Sequence, residues 1–150
     1  MTAIVTDVRY RMSLAVIRDV AEAGIDIVAV ERDDSGAPPI GFYSKYVRET
    51  HMLRGASYVS ELYALCRDIK KRIGKKPALL PVGASTLSVI APDEVRERFS
   101  EVCGLCIPSQ EQLEVFNSKS AVAEMAAAIG IPMPRSYTIE ETAGMPYPCV

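Results

Sequence analysis

The sequence predicts an α/β fold, a parallel sheet with helices on both faces. Two observations carry this. Short β-branched or apolar runs alternate with helical periodicity along the chain as far as Pro108. The runs TAIVTDV (2–8), DIVAVE (26–31) and PALLPV (77–82) are close to continuously apolar, as in strands buried on both sides. Right-handed crossovers then leave few topologies, of which strand order 3-2-1-4-5 is the expected one.

Each element has its own justification. Between the first two strands, Leu14, Ile17, Ala21 and Met12, Val16, Val20 recur at helical spacing, and Gly24 supplies the stop. The turn-forming stretch DDSGAPPIG (33–41) leads through FYSKY to VRETHML (47–53), a third strand. Ser57 is placed to cap a long helix whose stripe is Val59, Leu62, Cys66, Ile69 and Ile73, ending at Gly74. After PALLPV, GASTLSVI opens a helix broken at Pro92, DEVRERF resumes it, and CGLCIP (103–108) reads as a fifth strand. Past Pro108 the pattern changes. Ser109 and Gln112 have capping-box spacing for a short helix. Asn117 or Ser118 can cap a second, with Val122, Met125, Ala126 and Ile129 on its apolar face and Gly130 as its stop. Four of the ten prolines follow in IPMPRSYTIEETAGMPYPCV, which favours extended segments and turns. A boundary near residue 117 divides the chain into 1–116 and 117–150.

Composition narrows the function. The 150 residues are 49% hydrophobic and 24% charged, enough apolar side chain for a packed core. Seventeen basic against nineteen acidic residues give a net charge of −2 with no basic stripe, which argues against nucleic acid as a partner. No apolar run has bilayer length and the N-terminus lacks a signal-type core, so a cytoplasmic location away from membranes is expected. Reduced thiols are expected for Cys66, Cys103, Cys106 and Cys149.

The first strand-to-helix loop, TDVRYRMS, has no glycine, so the backbone cannot approach a pyrophosphate in the usual dinucleotide manner. It does offer Asp7, Arg9 and Arg11 beside a helix start, with Ser13 as a candidate cap. Such a loop can hold a carboxylate or phosphate, and equally can be ordinary solvated charge. In PVGAST (81–86), Gly83 can let a ligand near the backbone while Ser85 or Thr86 bonds to it; a plain turn with a hydroxyl cap explains the same residues. Cys103 and Cys106 lack the second ligand pair of a zinc knuckle and the helix N-terminal placement of a redox thiolate, so they read as strand or core cysteines. His51, the only histidine, has no nucleophile motif near it. Lys119 falls in the first turn of its helix, where a cation opposes the macrodipole by a few tenths of a kcal/mol unless an anion binds there. No catalytic residue and no metal ligand is assigned.

The order of FNSKSAVAEMAAAIGIPMPRSY and MPYPCV resembles the opening of the nucleotide-binding domain of ATP-grasp ligases. There a Lys-led helix, a Gly-Ile-Pro-x-Pro turn and a Tyr-Pro strand entry follow one another. The preceding glycine-poor domain, with GIDIVAVE, FYSKYV and LLPVG, resembles the Rossmann-like pre-ATP-grasp domain of the carboxylate-amine ligase and carbamoyl-phosphate-synthase-like branch. The resemblance implies a pre-ATP-grasp domain over 1–116 and the start of an ATP-grasp domain over 117–150. It implies ATP and Mg²⁺ as cofactors, a phosphate contact for Lys119, and small-molecule carboxylate and amine substrates. Asp7, Arg9, Arg11, Ser13, Gly83 and Ser85 then become candidates for the wall around the acceptor. The second lysine, the glycine-rich loop and the acidic magnesium ligands of that family are not found in these residues, so an N-terminal piece of a longer ligase, inactive alone, is the expectation. A stand-alone α/β binding module and a complete flavodoxin-like or nucleotide-sugar enzyme are the rival readings. Dimerisation through the stripe helix or an outer helix is compatible with all three.

Overall fold

The apolar run at the N-terminus becomes the central strand. In the computed structural model, which describes residues 1–34, 36–134, 137, 140 and 141, β1 (Thr2–Thr6) is buried at all five positions. It pairs in parallel with β2 (Asp26–Asp33) on one side and β4 (Ala78–Pro81) on the other. β3 (Val47–Arg54) adds to β2 with a register shift at Ile27/Val28, and β5 (Gly104–Leu105) adds to β4. The sheet order is β3-β2-β1-β4-β5, all parallel, as the alternating pattern predicts.

The period of two along β1 divides the core between the faces. Ala3 and Val5 pack with Val8, Ile17, Ile27 and Ala29. Ile4 lies in the other cluster with Val28, Val30, Leu62, Ile69, Leu79, Ile90 and Phe99. α1 (Arg11–Glu22) covers the first face through Ile17, with Val16, Val20 and Ala21 partly buried beside it; Met12 is exposed. α2 (Tyr58–Ile73), α3 (Ala84–Ile90) and α4 (Asp93–Val102) cover the second. In α2 the buried residues Tyr58, Leu62, Cys66 and Ile69 form one stripe. Burying a side chain such as Leu62 or Ile69 contributes about 1.5–3 kcal/mol.

Helix ends follow local chemistry. Gly24, Gly74 and Gly130 stand just beyond α1, α2 and the helix Lys119–Ala128 at φ +77, +71 and +75, left-handed values that glycine adopts without a Cβ clash. The capping box at α5 (Gln110–Asn117) is formed: Ser109 N–H donates to Gln112 Oε1 at 2.9 Å and Gln112 N–H to Ser109 Oγ at 3.2 Å. Two other caps differ from expectation. Ser57 occupies the N-cap of α2, but its hydroxyl donates to Glu61 Oε1 at 2.8 Å instead of accepting a backbone N–H. Tyr10, not Ser13, is the N-cap of α1.

The strand expected over 103–108 shrinks to two residues. α4 runs to Val102, and Cys103 ends it, its N–H donating to Phe99 O at 2.9 Å and its thiol to the same oxygen at 3.2 Å. Only Gly104 and Leu105 remain to pair with β4.

The chain divides into two compact units, Met1–Leu113 and Glu114–Val150. In the second, Ser118 caps α6 (Lys119–Ala128), its Oγ accepting from Ala121 N–H at 3.2 Å. Of the expected apolar face of α6, Ala126 is buried and Val122 half-buried, whereas Met125 and Ile129 are exposed. The Tyr-Pro segment 145–150, with Cys149, lies outside the described residues. Among the described residues no helix is long and apolar enough to cross a membrane.

Candidate functional site at the carboxyl edge of the sheet

In this strand order the direction of winding reverses between β1 and β4, and the crevice beyond their carboxyl ends is the usual ligand seat of an open α/β sheet. β1 delivers Thr6 and Asp7 there; β4 delivers Gly83, Ser85 and Thr86. Asp7 leaves the strand at φ +57, a left-handed conformation that aspartate tolerates better than most residues. Its side chain is 5% exposed and accepts four hydrogen bonds. Oδ2 takes Thr6 Oγ1–H at 2.6 Å and Gly83 N–H at 3.0 Å. Oδ1 takes Ser85 Oγ–H at 2.7 Å and Thr86 Oγ1–H at 2.9 Å. Ser13 donates its hydroxyl to the Asp7 carbonyl at 2.7 Å. Four of the sequence-derived candidates, Asp7, Ser13, Gly83 and Ser85, therefore belong to one network.

Glycine is required at position 83 because Asp7 and Tyr10 fill the space where a side chain would stand. A Cβ there would lie 2.7 Å from both Asp7 Cγ and Tyr10 Cε2. Behind the network Tyr58 is buried, and burial pushes its hydroxyl well above the ordinary tyrosine value, so it stays protonated. Thr86 spends its proton on Asp7, so Tyr58 donates to Thr86 Oγ1 across 2.8 Å.

The two arginines of the first loop separate in role. Arg9 is half-buried; its N–H donates to Glu31 Oε2 at 2.7 Å and its guanidinium to the Ala37 carbonyl at 3.2 Å, pinning the chain at Ala37. Arg11 is exposed, with no partner among the described residues. Glu31, at the carboxyl end of β2, is 7% exposed and also accepts Arg32 N–H at 3.1 Å. Burial raises its pKa, against the lowering pull of those two amides and of the Arg9 charge.

Glu31, Thr6, Tyr10 and Tyr58 were not singled out from sequence. A usable signal existed for two of them: Thr6 and Glu31 are polar residues at the ends of otherwise apolar strands.

Elsewhere, His51 Nε2 meets Glu49 Oε1 at 2.7 Å, and the Arg72 guanidinium on the same carboxylate holds it below the ordinary glutamate value. Cys66 and Cys103 are buried free thiols and Cys106 is an exposed one. Lys119 stands exposed in the first turn of α6, with no partner among the described residues. No group of three or more His, Cys, Asp or Glu able to hold a metal ion occurs among the described residues.

No family model matches the chain, and no curated protein matches it. Solved structures do. The biotin carboxylase domain of a single-chain bacterial carboxylase is similar over 95% of this chain and 33% of its own, at 23% identity and a TM-score of 0.53. A single-chain, multi-domain long-chain acyl-CoA carboxylase is similar over 95% of this chain and 14% of its own, at 22% identity and a TM-score of 0.54. The biotin carboxylase domain of a thermophilic 2-oxoglutarate carboxylase, bound to bicarbonate, is similar over 87% of this chain and 28% of its own, at 21% identity and a TM-score of 0.50. At such identities the likeness is one of fold. The five-stranded parallel α/β architecture matches that of biotin carboxylase domains. The chain spans a third or less of the structures it resembles.

Proposed function

We propose that this chain supplies the pre-ATP-grasp domain and the first nucleotide-contacting helix of an ATP-dependent ligase that joins a small carboxylate to an amine. The observation that carries the reading is the ordered likeness of fold. A β3-β2-β1-β4-β5 sheet and then a Ser118-capped helix led by Lys119 occur in a chain of which 95% is similar to biotin carboxylase structures.

In such a ligase a carboxylate oxygen attacks the γ-phosphorus of ATP, giving an acyl phosphate and ADP. The amine nitrogen then attacks the acyl carbon, phosphate leaves, and the nitrogen loses a proton. Lys119 is this chain's contribution to the first step. Its ammonium, exposed at the start of α6, offsets charge on a nucleotide phosphate, and the bound anion in turn relieves the unfavourable position of a cation at that helix end. Magnesium, which the reading implies, has no seat among the described residues. Arg11 and the rim of the β1–β4 crevice face the acceptor in this reading.

The test uses the complete gene product that carries this chain. Phosphate release from ATP is followed with bicarbonate and then amino acids as carboxylates, each with an amine present. Release that requires both partners is expected. Its absence for every pair sinks the ligase reading. Lys119→Ala removes one charge-assisted contact of about 1.5–3 kcal/mol, so ATP affinity falls roughly 10- to 100-fold while the circular dichroism spectrum is unchanged. Unaltered ATP affinity in a folded variant removes Lys119 from the site.

A further inference from the structure

We propose that the crevice between β1 and β4 is a built carboxylate-binding site whose resident ligand is the chain's own Asp7, and that a small free carboxylate such as acetate or formate occupies it once that side chain is removed. Each carboxylate oxygen has two donors: Thr6 Oγ1 and Gly83 N–H for one, Ser85 Oγ and Thr86 Oγ1 for the other, all between 2.6 and 3.0 Å. This two-by-two arrangement fits a planar group with two oxygens. A single-atom anion such as chloride cannot meet both pairs at once.

Three of the donors have supports besides the Asp7 carboxylate: Thr6 lies on the central strand, Thr86 is bonded to buried Tyr58, and Gly83 packs against Tyr10 as well as Asp7. With the carboxylate gone, the buried Gly83 N–H and the Ser85 hydroxyl lose their only acceptor among the described hydrogen bonds. An unpaired buried donor is costly, which favours a replacement anion. Ser85 is the exposed member of the donor set, at the rim of the site. None of this depends on nucleotide chemistry, so the inference stands or falls apart from the ligase reading.

Asp7→Gly is the variant of choice. It removes the carboxylate and suits φ +57, so the turn itself is retained. Its thermal midpoint is measured in rising sodium acetate or formate against sodium chloride at matched ionic strength, with wild type and Asp7→Asn alongside. In Asp7→Gly the carboxylates raise Tm saturably, by about 3 °C or more beyond chloride. The Gly83 amide resonance shifts along the same binding curve. Wild type and Asp7→Asn, whose crevices are filled, respond to acetate no more than to chloride. Equal responses of Asp7→Gly to acetate and chloride overturn the proposal, as does an equal acetate effect in Asp7→Asn. If Asp7→Gly is unfolded in chloride, recovery of a cooperative transition in acetate supports it, and an unfolded chain in both salts overturns it.

Discussion

Burial lifts the Glu31 carboxyl above the ordinary value of 4.5, and the backbone amides of Arg9 and Arg32 hold it back only in part. Between 4.5 and that higher native value, the folded protein keeps a proton that the unfolded chain has released. Stability therefore falls as pH rises through this window and is flat above it. Glu31→Gln cannot titrate. Its single carbonyl oxygen also serves only one of the two amides that Glu31 accepts, so the variant is less stable where Glu31 is protonated. The expected outcome is a stability gap between wild type and Glu31→Gln that narrows as pH climbs through the window. Urea denaturation of both proteins at stepped pH measures it, and parallel stability curves would show that Glu31 does not titrate differently in the fold.

The elements that local chemistry determines were legible in the sequence, and those set by distant partners were not. The stripe of α2, the glycine stops and the Ser109–Gln112 box each depend on residues within a few turns of one another, and the structure shows all of them. The fifth strand was over-read because apolar character alone cannot tell a helix end from a strand start; Cys103 is spent on closing α4. The Asp7 network joins residues 76 to 79 positions apart, and the Arg9–Glu31 bond spans 22. Charge and hydroxyl content hinted at a site there without revealing that the loop satisfies its own carboxylate. Tight joins between elements of this kind make testable demands. Gly41, in the 3₁₀ turn Ile40–Tyr43, donates its N–H to Val8 O at 2.9 Å, and a Cβ there would stand 2.6 Å from Val8 Cβ. Both colliding groups lie on or next to the backbone, so the turn must lift away from the loop that follows β1. Gly41→Ala should cost about 1–3 kcal/mol in guanidinium denaturation. A neutral result would mean that the turn yields freely and does not anchor the chain at Gly41 to Val8.

At the scale of the molecule, every residue of the two hydrophobic clusters lies at or before Ile107. Both faces of the sheet are thus covered by helices from within Met1–Leu113, and α5, which straddles the unit boundary, buries none of its residues. In the second unit the only described buried hydrophobic residue is Ala126, while Phe116, Met125, Ile129, Ile131 and Met133 are exposed. The described residues of this unit bury too little apolar surface to offset much of their own chain entropy, since ordering each residue costs about 1–2 kcal/mol. Cooperative unfolding of the chain should therefore report the first unit. A chain cut after Leu113 is expected to keep a single sharp thermal transition with a midpoint within a few degrees of the 150-residue chain. Differential scanning calorimetry of both decides the matter. A broad or much lower transition in the shortened chain would mean that residues beyond 113 complete the core, and the boundary after Leu113 would have to move.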